Sequence, residues 1–124
     1  MTDDLKAFGE LLIKEVRDRT ISEFDKMAAG SMRSTSGKRI HSMIINFEDE
    51  QKEIIRNIII YQIDGAIHNF LSLIEQQGGI DFPLFLSGGK SISDLSLLSD
   101  GLSGELYGGN GWIFNYSSNK YGLE

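Results

Sequence analysis

Apolar positions in the first quarter of the chain recur at helical spacing: Leu5, Phe8, Leu12 and Val16, then Thr20, Phe24 and Met27. Steps of three and four keep these side chains on one face, so the pattern predicts an amphipathic helix over residues 3–28 with charges of both signs on its other faces. Thr20-Ile21-Ser22-Glu23 has the form of a capping box, a place where such a helix can break and restart. The glycines and hydroxyls of GSMRSTSGK, residues 30–38, predict a loop, and a short helix follows from Arg39 to Ile45. Asn46 ahead of Phe47-Glu48-Asp49-Glu50 places a capping side chain before acids, which the positive end of a helix dipole favours. The helix begun there can run to about Gln77, where Gly78-Gly79 stops it. Roughly 30 residues at about 1.5 Å each give about 45 Å, long against the ~14 Å radius of gyration of a domain this size. Gly65 marks the place for a bend. On the helical wheel Ile55, Ile59, Ile63, Ala66, Ile67, Phe70, Leu73 and Ile74 share one broad face, and Asn57, Tyr61, Asp64, His68, Ser72 and Glu75 the opposite one. That apolar arc is wide enough for two neighbours, so this helix is expected to be the spine of the fold, covered by the chain itself or by a second copy.

Past Gly79 the pattern shortens. Asp81 to Leu86 reads as a strand, with Pro83 assigning it to an edge or a strand start, and Ser87-Gly88-Gly89-Lys90 as a turn. Ile92 to Leu98 fits a second strand or a short helical turn. Gly101 to Tyr107 reads as one or two helical turns and Gly108-Gly109-Asn110-Gly111 as a tight turn. Trp112-Ile113-Phe114-Asn115-Tyr116 alternates as a strand does. The expected architecture is α+β: an N-terminal helical layer with one long central helix and a small C-terminal antiparallel sheet. It forms a single domain over 1–124, helical to about residue 78 and glycine-rich from about 79 to 121.

Composition narrows the chemistry. The formal net charge is −6, which opposes binding to nucleic acid because a polyanion is repelled. There is no cysteine, hence no disulfide, zinc–thiolate site or thiol nucleophile. The opening MTDDLKAFGELLIKEV lacks the basic start and apolar core of a signal peptide, and the run Ile58 to Ile63 is far shorter than the ~20 residues that span a bilayer. A cytoplasmic protein with no membrane association, metal or cofactor is the expectation.

Four stretches carry candidate chemistry. Ser87-Gly88-Gly89-Lys90-Ser91 resembles the end of a phosphate-binding loop, but the glycine required six residues before the lysine is Leu84, so a hairpin turn is the better reading. Arg33, Lys38 and Arg39 are a basic cluster in a segment, 30–47, without acid; it can hold an anion or an acidic partner, although three such charges are more often merely solvated. Asp64 and His68, one turn apart with Tyr61 a turn earlier, have the spacing of an acid–base pair, which a polar helix face also produces by chance. His41 has no recognisable metal-ligand spacing. Finally, Trp112, Tyr107, Asp100 and Glu105 form an aromatic and acidic edge within SDGLSGELYGGNGWIFNYSSNKY. If Trp112, Phe114 and Tyr116 face inward, this stretch is a structural corner; if part of it faces out, it is a binding edge.

The block SDGLSGELYGGNGWI, following a helix of the type IDGAIHNFLSLIEQ, resembles a family of small uncharacterised bacterial proteins over roughly residues 55–116. That resemblance implies no activity and assigns no residue a role. In size, acidity and lack of cysteine the chain is also similar in type to immunity proteins and antitoxins. The expected function is a non-enzymatic, cytosolic bacterial interaction module, of the kind that neutralises a basic partner, with Tyr107, Trp112, Asp100 and Glu105 carrying binding. The alternatives are a small enzyme using Asp64 and His68, or a binder of phosphorylated ligands at Arg33, Lys38 and Arg39.

Overall fold

A computed structural model of the chain describes residues 3–76, 84–85, 91–92 and 101–119. The N-terminal helix forms as its periodicity predicts, but with a wider turn inside it. Helix α1 (Asp3–Leu11) passes into a π-helical segment (Leu12–Asp18) and then into α2 (Arg19–Ala28) without a break. The expected capping box does not interrupt it: the Thr20 hydroxyl donates instead to the Val16 carbonyl at 2.6 Å, a bond back along the same helix.

The π turn changes which residues are buried. A turn closed by i→i+5 bonds holds more residues than an α turn, so the rotation of the stripe lags by about one position. Leu5, Phe8 and Leu12 are buried as expected, but the stripe then continues through Ile13, Arg17 and Ile21, while Val16 is 44% exposed. An arginine is thereby carried into the interior.

After a tight reversal at Gly30, whose φ is +79°, α3 (Thr35–Ile44) begins earlier than expected. Its start is set by Ser34, whose side chain accepts from the Gly37 N–H at 3.0 Å. Helix α4 (Asp49–Gln76) is the long spine, running unbroken through Gly65. It begins past Asn46: the Glu48 N–H donates to Gln51 Oε1 at 2.9 Å, the returning half of a capping box. Its buried residues are Ile60, Asp64, Ile67, Leu71 and Ile74. The inner face is thus rotated from the one the wheel predicts, because Asp64 belongs to it and Ala66, Phe70 and Leu73 do not.

The α+β expectation is not met. The described residues are mostly helical, and extended pairing among them is limited to a two-residue antiparallel contact between β1 (Leu84–Phe85) and β2 (Ser91–Ile92). The remainder of the strands and turns expected over 77–100 lies outside the described residues. A 3-10 helix (Leu102–Leu106) occupies the predicted helical turns, and a turn closed by Gly111 N–H on the Gly108 carbonyl follows. The stretch expected as a last strand is instead a short helix, α5 (Trp112–Tyr116). Five residues with Trp, Phe and Tyr at alternate positions satisfy a strand pattern. Yet the fully buried side chains are the adjacent Trp112 and Ile113, with Tyr116 packed beside them, a helical i, i+1, i+4 face.

The core joins both ends of the chain: Leu5, Phe8, Leu12 and Ile13 from the first helix, Ile67, Leu71 and Ile74 from α4, Leu102 and Leu106, then Trp112 and Ile113. Trp112 meets Phe8 edge-on, ring centroids 5.9 Å apart. Gly9 lies directly beneath the indole; a β-carbon there would sit 2.5 Å from Trp112 Nε1. Gly65, by contrast, has open space where a β-carbon would go.

Gly9→Ala should therefore push Trp112 from its site and cost about 1–3 kcal/mol, the range for overpacked cores. Gly65→Ala should gain up to about 1 kcal/mol from helix propensity alone. Chemical denaturation followed by Trp112 fluorescence checks both; equal effects of the two substitutions would contradict the placement of the indole on Gly9.

Candidate functional site

Arg17 is fully buried, a position a guanidinium occupies only when its donors are matched. Its Nε donates to Asp64 Oδ1 at 2.6 Å and Nη2 to Asp64 Oδ2 at 3.3 Å, a two-pronged pair with a carboxylate that is itself 2% exposed. Nη1 donates to the Ser117 hydroxyl at 2.8 Å and to the Asn119 carbonyl at 2.9 Å. The neighbouring Asp18 completes the arrangement: Oδ1 accepts from the Ser117 hydroxyl at 2.7 Å, and Oδ2 from the Ser118 N–H at 2.9 Å. On the outer side Arg56 forms a second two-pronged pair with Asp25, at 2.8 and 3.1 Å, and reaches Asn119 Oδ1 at 3.1 Å. The hydrogen bond to Asp25 raises the Arg56 pKa above its ordinary value, against an opposing effect of burial. Residues from the first helix, from α4 and from the segment after α5 are thus clasped by two arginines.

This clasp decides the fate of the acid–base pair expected on α4. Asp64 gives both carboxylate oxygens to Arg17. His68 Nδ1 is buried and has no hydrogen-bond partner, so the carboxylate does not orient the imidazole. The His68 ring instead lies beside Tyr107, centroids 6.0 Å apart. Tyr61 is 60% exposed. Glu75, further along the same helix, accepts from the Ser103 N–H and so holds the start of the 3-10 helix.

The other expected positions scatter. Trp112, expected to carry binding, is fully buried in the core, and Asp100 lies outside the described residues. Glu105 is half-buried, while Tyr107 is 41% exposed. Burial raises the Tyr107 pKa above its ordinary value, the Asp64 charge adds to the rise, and Arg17 opposes it. Arg33, Lys38 and Arg39 are all exposed; Lys38, expected in the loop, lies with Arg39 on α3. Among the described residues no group of three His, Cys, Asp or Glu side chains could hold a metal ion, and no helix is long and apolar enough to cross a membrane.

Two features escaped the sequence reading. Arg17 had a signal: it stands four residues from both Ile13 and Ile21, inside an apolar stripe once the π turn is allowed for. The second is an exposed apolar surface along the turn from α3 into α4, made by Met43, Ile45 and Phe47, then Ile54, Ile58 and Tyr61. Ile54, Ile58 and Tyr61 share one face of α4, Glu50 stands one turn before Ile54 on the same side, and Glu48, Asp49 and Glu53 are further exposed acids at the start of the helix. Compared with known protein families, curated proteins and solved structures, the chain matches none.

Removing one partner of the buried pair, in Arg17→Met or Asp64→Leu, should cost about 3–5 kcal/mol because the other charge is left buried and unpaired. The double replacement should cost much less than the sum; additivity of the two in urea unfolding would contradict the pairing. Tyr107 supplies a pH test. Its raised folded-state pKa contributes stability that is fully present below the unfolded value of about 10 and is lost as pH rises through the folded value. Tyr107→Phe should therefore flatten the fall of stability above about pH 10, measured by urea unfolding across that range; an unchanged slope would contradict the burial assigned to the phenol.

Proposed function

We propose that the protein is a non-enzymatic interaction module of the cytosol that docks a basic protein partner, in the manner of an immunity-type or antitoxin neutraliser. The observation that carries this reading is the surface at the start of α4. Phe47, Ile54, Ile58 and Tyr61 are exposed and offer apolar anchors, with Glu50 one turn before Ile54 on the same side and Glu48, Asp49 and Glu53 adding exposed acid at the start of the same helix. Aromatic and aliphatic anchors surrounded by charge are what a partner-binding hot spot needs. The acids, on a chain of net charge −6, steer a basic partner such as a nuclease toward it. This moves the expected contact from the 100–116 edge to the α3–α4 turn. Tyr107 and Phe114 of the former edge are exposed, while Trp112 is buried in the core.

The acid–base alternative has less to support it, since Asp64 is held by Arg17 and His68 lacks its orienting partner.

The test is affinity capture from a bacterial lysate at low and moderate salt, with three baits: the wild-type chain, Ile54→Asp, and Glu50→Lys/Glu53→Lys. The expected result is one stoichiometric basic protein whose capture weakens with salt and is lost with both variants, while their far-UV circular dichroism is unchanged. Capture that is indifferent to both variants, or no specific capture at all, would overturn the proposal.

A further inference from the structure

Of the six asparagines in the chain, five precede bulky residues: Phe47, Ile58, Phe70, Tyr116 and Lys120. The sixth, Asn110, precedes Gly111. The fold explains why a glycine stands there. The turn from Gly108 to Gly111 leads from the 3-10 helix into α5, with a φ of +90° at Gly108 and the Gly111 N–H donating to the Gly108 carbonyl at 3.1 Å. A β-carbon at position 111 would collide with the Tyr107 carbonyl, so glycine is the residue that fits. Gly111 is buried, and Trp112 and Ile113 enter the core directly after it. Asn110 itself is exposed. Its main-chain carbonyl accepts from Asn115 Nδ2 at 3.1 Å, which leaves its side-chain amide out of that contact.

We propose that Asn110 is a site of spontaneous covalent modification, at which the side chain closes on Gly111 and is converted to aspartate and isoaspartate. The Gly111 nitrogen attacks Asn110 Cγ. The N–Cγ bond forms, the Cγ–Nδ2 bond breaks, and ammonia leaves carrying the proton of the Gly111 nitrogen. Water then opens the cyclic imide. Breaking the bond from nitrogen to Cγ gives aspartate; breaking the bond from nitrogen to the main-chain carbonyl carbon gives isoaspartate, in which the peptide continues through the side chain. Water is the one co-reactant, and no oxidant or reductant enters. A bulky residue after asparagine hinders this ring closure and glycine does not. The close approach of the Tyr107 carbonyl, by requiring glycine at 111, therefore creates the reactive pair.

The same turn restrains the reaction. While the Gly111 N–H is held by the Gly108 carbonyl, its nitrogen is kept from Cγ, so attack waits for local opening of the turn. Asp64-Gly65 has the sequence for an analogous closure, but Asp64 lies within α4 with both carboxylate oxygens on Arg17. The two products at Asn110 differ in consequence. Aspartate preserves the main chain and adds one negative charge at an exposed position. Isoaspartate lengthens the main chain between Gly108 and Gly111 and turns the carbonyl that accepts from Asn115 into a free carboxylate, which loosens the seat of Trp112. The inference rests on this turn alone and is independent of the partner docking proposed above.

Ageing the purified full chain in mildly alkaline buffer, folded and in urea, with peptide sequencing by mass spectrometry, tests the inference. The expected result is conversion of amide to acid at Asn110 ahead of the other five asparagines, as a mixture of aspartate and isoaspartate. Conversion in the folded chain should be about two- to tenfold slower than in urea, the factor that one net hydrogen bond supplies. Trp112 fluorescence of the folded chain should change as isoaspartate accumulates, and should stay constant in Asn110→Gln aged in parallel. Conversion at Asn110 no faster than at the other asparagines, equal rates folded and in urea, or fluorescence indifferent to the isoaspartate content would overturn the proposal.

Discussion

The ion pair between Arg17 and Asp64 is the constraint from which the arrangement of the chain follows. A guanidinium with no exposure must have its donors satisfied, and here the partners come from two distant segments: Asp64 on the spine, and Ser117 and Asn119 beyond α5. Satisfying Arg17 therefore places the end of the described chain against its beginning, across the side of α4. The apolar core then fills the adjacent space, with Trp112 laid on Phe8 and over Gly9. Hydrophobic burial supplies most of the favourable free energy of such a fold, but it is non-directional. The clasp adds direction, since a two-pronged carboxylate pair with a hydroxyl and a carbonyl beside it accepts one geometry and few others.

The π-helical segment is the device that brings Arg17 to that place. Without the added residue in the turn, the stripe from Leu5 and Phe8 would continue through Val16, and Arg17 would stand beside it. With it, Val16 turns outward and Arg17 lies between Ile13 and Ile21. Such wide turns are often associated with function; in this protein the turn serves the buried ion pair.

How much of this was legible follows from the length of each pattern. The helices over 3–28 and through Gln76 span many turns, and their existence is plain in the periodicity of the chain. The faces they bury are not, because a wheel ranks Asp64 as polar and has no means of knowing that an arginine 47 positions away will neutralise it. A π turn likewise leaves no mark on a wheel drawn at constant angle. The short elements fared worse for another reason. In Trp112 to Tyr116, five residues satisfy a strand and a helix alike, and contact with Phe8 and Gly9 selects the helix. The candidate site shifted accordingly: the aromatic edge dissolved into core at Trp112, and the acid–base pair into the clasp at Asp64. What remains exposed on α4 includes the apolar face of Ile54, Ile58 and Tyr61.

The most direct test of the account is nitrogen NMR of the arginine side chains near neutral pH. The clasp predicts one Nε–H resonance, assigned to Arg17, that exchanges slowly with solvent and loses its protection in Asp64→Asn. An Arg17 Nε–H that exchanges as fast as those of the exposed Arg19 and Arg39 would contradict it, and with it the arrangement of the fold around a buried charge.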